Sequence, residues 1–244
     1  HMLIVDELLQ LNASDSFKEM FFVIIQRGAI LAVLTSFWKK MFPFQFKDKS
    51  QPIIKKEIFS LWFKVVVACI PGAIITLLFD DYIEANFHTP IVIATTLIIY
   101  GIGFIIVENW NKMRIPSITN LNEITYKTAW LIGLFQVLSI IPGTSRSGAT
   151  IIGALIIGVS RVAAAEFTFF LAVPVMFGLS ALKILKFGFV FTASELFILI
   201  LGMAVAFIVS VAVIKFLMSF IKKHDFKAFG WYRIVLGIAI IILL

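Results

Sequence analysis

The stretch "IIPGTSRSGAT", residues 140–150, sets one arginine, four hydroxyls and two glycines between runs of membrane-grade hydrophobicity. Backbone N–H groups and hydroxyls gathered at the start of a helix attract an anion, because the first turn's donors have no intrahelical acceptor and the helix dipole is positive there. Arg146 adds a planar fork able to hold two phosphate oxygens at once. The residues expected around a bound phosphate are therefore Gly143, Thr144, Ser145, Arg146, Ser147, Gly148 and Thr150. An arginine at membrane depth is costly, about 2.5–3.5 kcal/mol at the bilayer centre on insertion scales, so it is a functional candidate by default. The plainer alternative is that Ser145 only caps a helix and Arg146 pairs with a carboxylate.

Other polar residues fall in apolar surroundings. Gln26 and Arg27 lie inside an expected spanning helix and are candidates for lining a cavity, with snorkelling or structural pairing as the alternative for Arg27. Glu166, five residues after Arg161, reads as half of a structural ion pair or a cap, and Glu108 reads as an interfacial anchor beside Trp110. The single Cys69 forms no intramolecular disulfide, and no cysteine–histidine cluster marks a zinc site, so metal ligands stay unknown.

The elements that must position these groups are set by composition. Of 244 residues 61% are hydrophobic and 14% charged, against roughly 45–50% and 25% in soluble domains. Spans of ~20 apolar residues are expected at 17–38, 59–79, 91–107, 163–185, 195–220 and 229–244, six in all. Runs such as "FILILGMAVAFIVSVAVI" are apolar on every face, unlike the alternating segments of a membrane barrel, so the class is all-α, a polytopic membrane protein. The net charge of +7 does not point to nucleic acid. Lysines crowd the loop 39–56 and the connections at 112–127 and 222–227, while residues 80–90, read as a loop, have none, which is the positive-inside pattern. That pattern puts the lysine-rich loops in the cytoplasm and allows contact with anionic lipid headgroups.

An offset of 148 lays the start of the chain on its second half without gaps: Leu3-Ile4 on Ile151-Ile152, Phe21-Phe22 on Phe169-Phe170, and Gln26 on Pro174. The matched helices would cross in opposite directions, as in inverted repeats that build a site near mid-membrane from broken helices. One membrane domain, 1–244, is expected, with repeats near 1–107 and 126–244. In the second repeat, 126–141 and 147–159 are each too short to span and are separated by Pro142-Gly143, which predicts a re-entrant hairpin. The first repeat would retain only residues 2–11 of its own hairpin.

"PGTSRSGAT" followed by "GVSRVAAAEFTFFLAVP" resembles the signature region of the bacterial undecaprenyl-diphosphate phosphatases, the membrane family associated with bacitracin resistance. "QRGAILAVL", "FQVLSIIPG" and "FGWYRIVLG" follow that family's order. The resemblance implies hydrolysis of undecaprenyl diphosphate to the monophosphate, recycling the lipid carrier of peptidoglycan synthesis. It also implies a bacterial inner-membrane location, a site facing the outer side, two re-entrant hairpins and a homodimer. It makes Arg146 the phosphate-binding arginine, Ser145, Ser147 and Thr150 motif hydroxyls, and Gln136 the counterpart of a glutamate in the family's first repeat. His1 coincides with the family's catalytic histidine, although His-Met is also what cloning leaves at a terminus. The family's glutamate-rich stretch is not matched, so the expectation is a chain lacking an N-terminal segment, inactive for that reason, with the ligands of Mg²⁺ or Ca²⁺ in that segment. A transporter or flippase that moves a polyprenyl phosphate, using the same phosphate-binding loop, is the alternative function, because inverted repeats with broken helices also mark transporters.

Overall fold

The computed structural model describes residues 15–45, 53–187 and 192–243. His1 and the expected half-hairpin at 2–11 lie outside them. The described chain is helical: α1 (Asp15–Ser36), α2 (Trp38–Met41), α3 (Lys56–Phe87), α4 (Pro90–Asn111), α5 (Tyr126–Val137), α6 (Arg146–Ile157), α7 (Arg161–Phe187), α8 (Ala193–Ile221) and α9 (Lys227–Leu243). In hydrocarbon a helix satisfies its backbone internally, which is why these apolar runs adopt no other form.

All six expected spans are helical where described, but four of the described helices have the length and hydropathy to cross a membrane: Lys56–Phe79, Pro90–Asn111, Arg161–Gly178 and Ser194–Ile221. The apolar part of α1, Met20–Ser36, is shorter because Lys18 and Glu19 open the helix. The 17 residues of α9 are interrupted by Arg233. A correction concerns residues 80–90, read as a loop: α3 continues as helix through Phe87. The chain then turns at Thr89, whose hydroxyl accepts the Val92 N–H at 3.3 Å while Pro90 opens α4.

The described residues group into two packing units, 15–38 with 175–215 and 39–174 with 216–243. In the first, α1 meets α8 through small residues, Gly28 against the Met203 carbonyl and Gly202 against the Phe21 ring. In the second, α3 packs on α5, α4 on α9, and α6 on both α5 and α4. A Cβ at Gly101 would stand 2.7 Å from the Gly230 carbonyl oxygen, so α4 and α9 approach as closely as backbones can. The half-length helices α5 and α6, 12 residues or about 18 Å each, form the expected hairpin. Phe104, Ile151, Leu155, Ala165 and Phe226 make the core that holds it. At its base the connection before α5 is tied by Glu123, which the Thr119 N–H and the Asn120 side chain hold below the usual carboxylate range.

Two ion pairs fix the ends of the second unit, and one of them makes Glu166 half of a structural ion pair, as expected. Arg161 reaches Glu108, with Nε 3.0 Å from both carboxylate oxygens, and the Phe226 N–H donates to the same group at 3.0 Å. Glu108 is therefore a fully buried junction of α4, α7 and the turn before α9, rather than an interfacial anchor. Glu166 pairs with Lys40 at 2.6 Å. Removing the partner of a buried charge typically costs about 3–5 kcal/mol. Arg161→Met, which leaves the fully buried Glu108 unpaired, should lower the thermal unfolding midpoint in detergent more than Lys40→Met, which leaves Glu166 with a side chain 9% exposed. Equal shifts would contradict this ranking.

Candidate functional site

The hairpin tip is built around one glycine. After α5 the chain tightens through Leu138–Ile140 and turns at Gly143, where φ is +84°. An L side chain is strained there, and a Cβ would also collide with the Thr96 hydroxyl and stand 2.6 Å from the Ile93 carbonyl oxygen. The tip is thus seated on the first turns of α4, with the Thr96 hydroxyl 2.7 Å from the Pro142 carbonyl oxygen.

From that turn the chain enters α6 at once. Ser145 is the N-cap: its hydroxyl accepts the Gly148 N–H at 3.2 Å and lies 3.0 Å from the Ser147 hydroxyl. Arg146 is the first helical residue. Its Nη1 is sealed from solvent and has no hydrogen-bond partner, and among the described residues no carboxylate pairs with it. Of the two plain expectations, the serine cap is present and the arginine–carboxylate pair is not. A half-buried cation with one nitrogen sealed and unpartnered lacks an anion.

The remaining predicted residues divide by position. Thr144 and Gly148 are buried in the tip, and Ser147 is exposed at it. Thr150 is fully buried behind it: its hydroxyl reaches the Arg146 carbonyl at 3.0 Å and the Thr168 hydroxyl at 3.0 Å, so it supports the first turn from the rear. Gln136 is buried on α5 with Oε1 unpartnered, and its amide nitrogen fills the space beside Gly72. Gln26 and Arg27 lie half-buried on α1, in the other packing unit. His1 lies outside the described residues.

Arg233 was missed by sequence reasoning. It projects from α9, is 8% exposed, and donates from Nη2 to the Gly143 carbonyl at 2.8 Å. Its Nη1 would sit 3.1 Å from a Cβ on Gly148, its guanidinium lies 5.9 Å from the Tyr100 ring, and its Nε has no partner. A buried guanidinium and a half-buried one therefore flank one loop. The signal was available: an arginine inside a 17-residue apolar helix is the same anomaly that singled out Arg146.

The arrangement can bind a phosphate and stabilise charge on it. Forcing a left-handed residue to carry a Cβ costs about 1–2 kcal/mol before any collision. Gly143→Ala should therefore lower the unfolding midpoint, whereas Gly178→Ala, with nothing within 4 Å of the added carbon, should leave it unchanged or raise it. A neutral Gly143→Ala would mean that the turn is not what seats the tip.

A family model described as Bacitracin resistance protein BacA matches residues 1–239. The undecaprenyl-diphosphatase of Enterococcus faecalis is 70% identical to this chain over 243 residues, covering 100% of the chain and 88% of that protein. Proteins of the same name from Desulfitobacterium hafniense and Lachnoclostridium phytofermentans are 58% and 61% identical, covering 99% and 97% of the chain and 87% and 86% of their own lengths. Relatives of this name at this identity lend no support to the expectation of an inactive protein. With a matched family model over 239 residues and relatives this similar over its full length, the chain belongs to the bacitracin resistance protein BacA family.

Proposed function

We propose that this protein is a membrane phosphatase that hydrolyses undecaprenyl diphosphate to undecaprenyl phosphate and inorganic phosphate, returning the lipid carrier to peptidoglycan synthesis. One observation carries the reading on the structural side: the buried, unpartnered Nη1 of Arg146 at the first position of α6. The names of the curated relatives supply the substrate.

In the reaction the terminal phosphorus gains an oxygen from water and loses the bridging oxygen. The departing lipid phosphate takes the bond's electron pair, and negative charge grows on oxygens that Arg146 and the first N–H groups of α6 can face. Fixed donors in a water-poor site stabilise such charge more than bulk water does. Arg233 acts through the loop by holding the Gly143 carbonyl, so it is a positioning residue. Ser145, whose hydroxyl stands at the helix start, and His1 are the proposed catalytic partners of Arg146; Thr144, Ser147 and Gly148 face the phosphate in this reading. The location is the bacterial inner membrane with the site toward the outer side, and the assembly a homodimer.

A divalent cation, Mg²⁺ or Ca²⁺, belongs to the proposal as an expectation about activity. Among the described residues no group of three histidines, cysteines or carboxylates is placed to hold one, so these residues do not fit it and no step is assigned to it. Chelation with EDTA should abolish phosphate release and added Mg²⁺ or Ca²⁺ should restore it; undiminished release in EDTA would contradict the requirement.

Phosphate released from undecaprenyl diphosphate by the purified chain tests the main reading. Arg146→Ala should reduce release by about 10²–10³-fold or more with the unfolding midpoint preserved, since the change deletes a buried charge rather than a contact. Wild-type-like turnover in that variant would refute the assignment. Transbilayer movement of the lipid without phosphate release would favour the transporter reading.

A further inference from the structure

The other end of the same packing unit carries a concavity of about 690 Å³. The short antiparallel pairing of Phe44 with Ile54, with the Lys55 N–H on the Pro43 carbonyl at 2.8 Å, folds the end of α2 back onto the start of α3. Lys39 and Lys40 are thereby brought to the same hollow as Lys55 and Lys56. Its floor is apolar, made by Leu61 and Val162. Its far wall is the turn before α5, so α5 separates it from the Arg146 loop by about 18 Å of helix.

The charges in the hollow do not cancel. Its two acids are engaged, Glu166 by Lys40 at 2.6 Å and Glu57 by the Asn122 amide at 3.0 Å. Lys39, Lys55 and Lys56 have no ion-pair partner among the described residues. Beside this surplus the outer surface is apolar and solvent-facing: Ile54 is 48% exposed, Phe63 62%, and Phe44 packs edge-on against Phe59 with ring centres 6.0 Å apart. Cations lining a hollow, next to exposed hydrocarbon at the end of a membrane-spanning helix, match the two halves of one kind of molecule.

We propose that this hollow is a binding site for an anionic phospholipid, its phosphate headgroup held by Lys39, Lys55 and Lys56 and its acyl chains lying along Ile54, Phe59 and Phe63. The site is distinct from the Arg146 loop, and nothing in it depends on hydrolysis there.

Native mass spectrometry of the full chain released from phosphatidylcholine nanodiscs doped with phosphatidylglycerol reads the bound lipid directly. The triple variant Lys39→Gln, Lys55→Gln, Lys56→Gln should retain phosphatidylglycerol at least about tenfold less than wild type. The corresponding arginine triple should retain it. A control of equal charge loss elsewhere, Lys127→Gln, Lys222→Gln, Lys223→Gln, should behave as wild type. Equal loss in the control would overturn the proposal in favour of diffuse surface attraction, and so would unchanged retention in the first triple. Complete displacement by millimolar inorganic phosphate would also overturn it, because the headgroup alone would then account for binding. Phosphate release by these variants is a separate readout, so failure of the lipid site and failure of the phosphatase reading are told apart.

Discussion

The left-handed turn at Gly143 is the constraint on which the functional end of the molecule depends. At φ of +84° and pressed against Ile93 and Thr96, it leaves no room for a side chain. That contact converts the end of one half-length helix into the start of another at fixed depth, and it aims the carbonyl of Gly143 at Arg233. The position of Arg146 follows from that turn, since α6 begins three residues later. A loop of small and hydroxyl-bearing residues is tolerable at such depth because α4, α5 and α9 surround it.

The three buried or half-buried arginines of this packing unit show how burial separates structure from function. Arg161 is satisfied by Glu108 and belongs to the scaffold. Arg233 spends one nitrogen on the Gly143 carbonyl and keeps Nε unpartnered. Arg146 keeps Nη1 unpartnered at a helix N-terminus, where the local field already favours an anion. Partial burial of a guanidinium without a counter-charge is unfavourable, and in the proposed reading a phosphate would offset that cost.

Much of this was readable from the residues alone. The apolar runs specified helices, the Pro142-Gly143 break specified the hairpin, and the hydroxyl-rich start of α6 specified a capped N-terminus with Arg146 in its first turn. What pattern could not supply was pairing at a distance. Glu166 and Arg161 are five residues apart, yet each found a partner more than fifty positions away, because helix packing rather than sequence spacing brings those groups together. The continuation of α3 through residues 80–87 was hidden by composition: a polar run extends a helix beyond the apolar span as readily as it forms a loop. Arg233 was hidden by its "FGWYRIVLG" setting, read for order along the chain rather than for a charge at depth.

The central claim is that Arg233 and Arg146 act as one unit, the first by holding the turn that presents the second. A double-mutant cycle on binding of a non-hydrolysable, methylene-bridged analogue of a polyprenyl diphosphate tests it most directly, with Arg146→Lys, Arg233→Met and the pair measured on the purified chain in detergent. Residues that act through a shared element show interaction energies of about 0.5–3 kcal/mol, whereas independent sites add. The account predicts that Arg233→Met weakens binding strongly on its own and adds little once Arg146 is changed. Strictly additive losses, or a silent Arg233→Met, would contradict it.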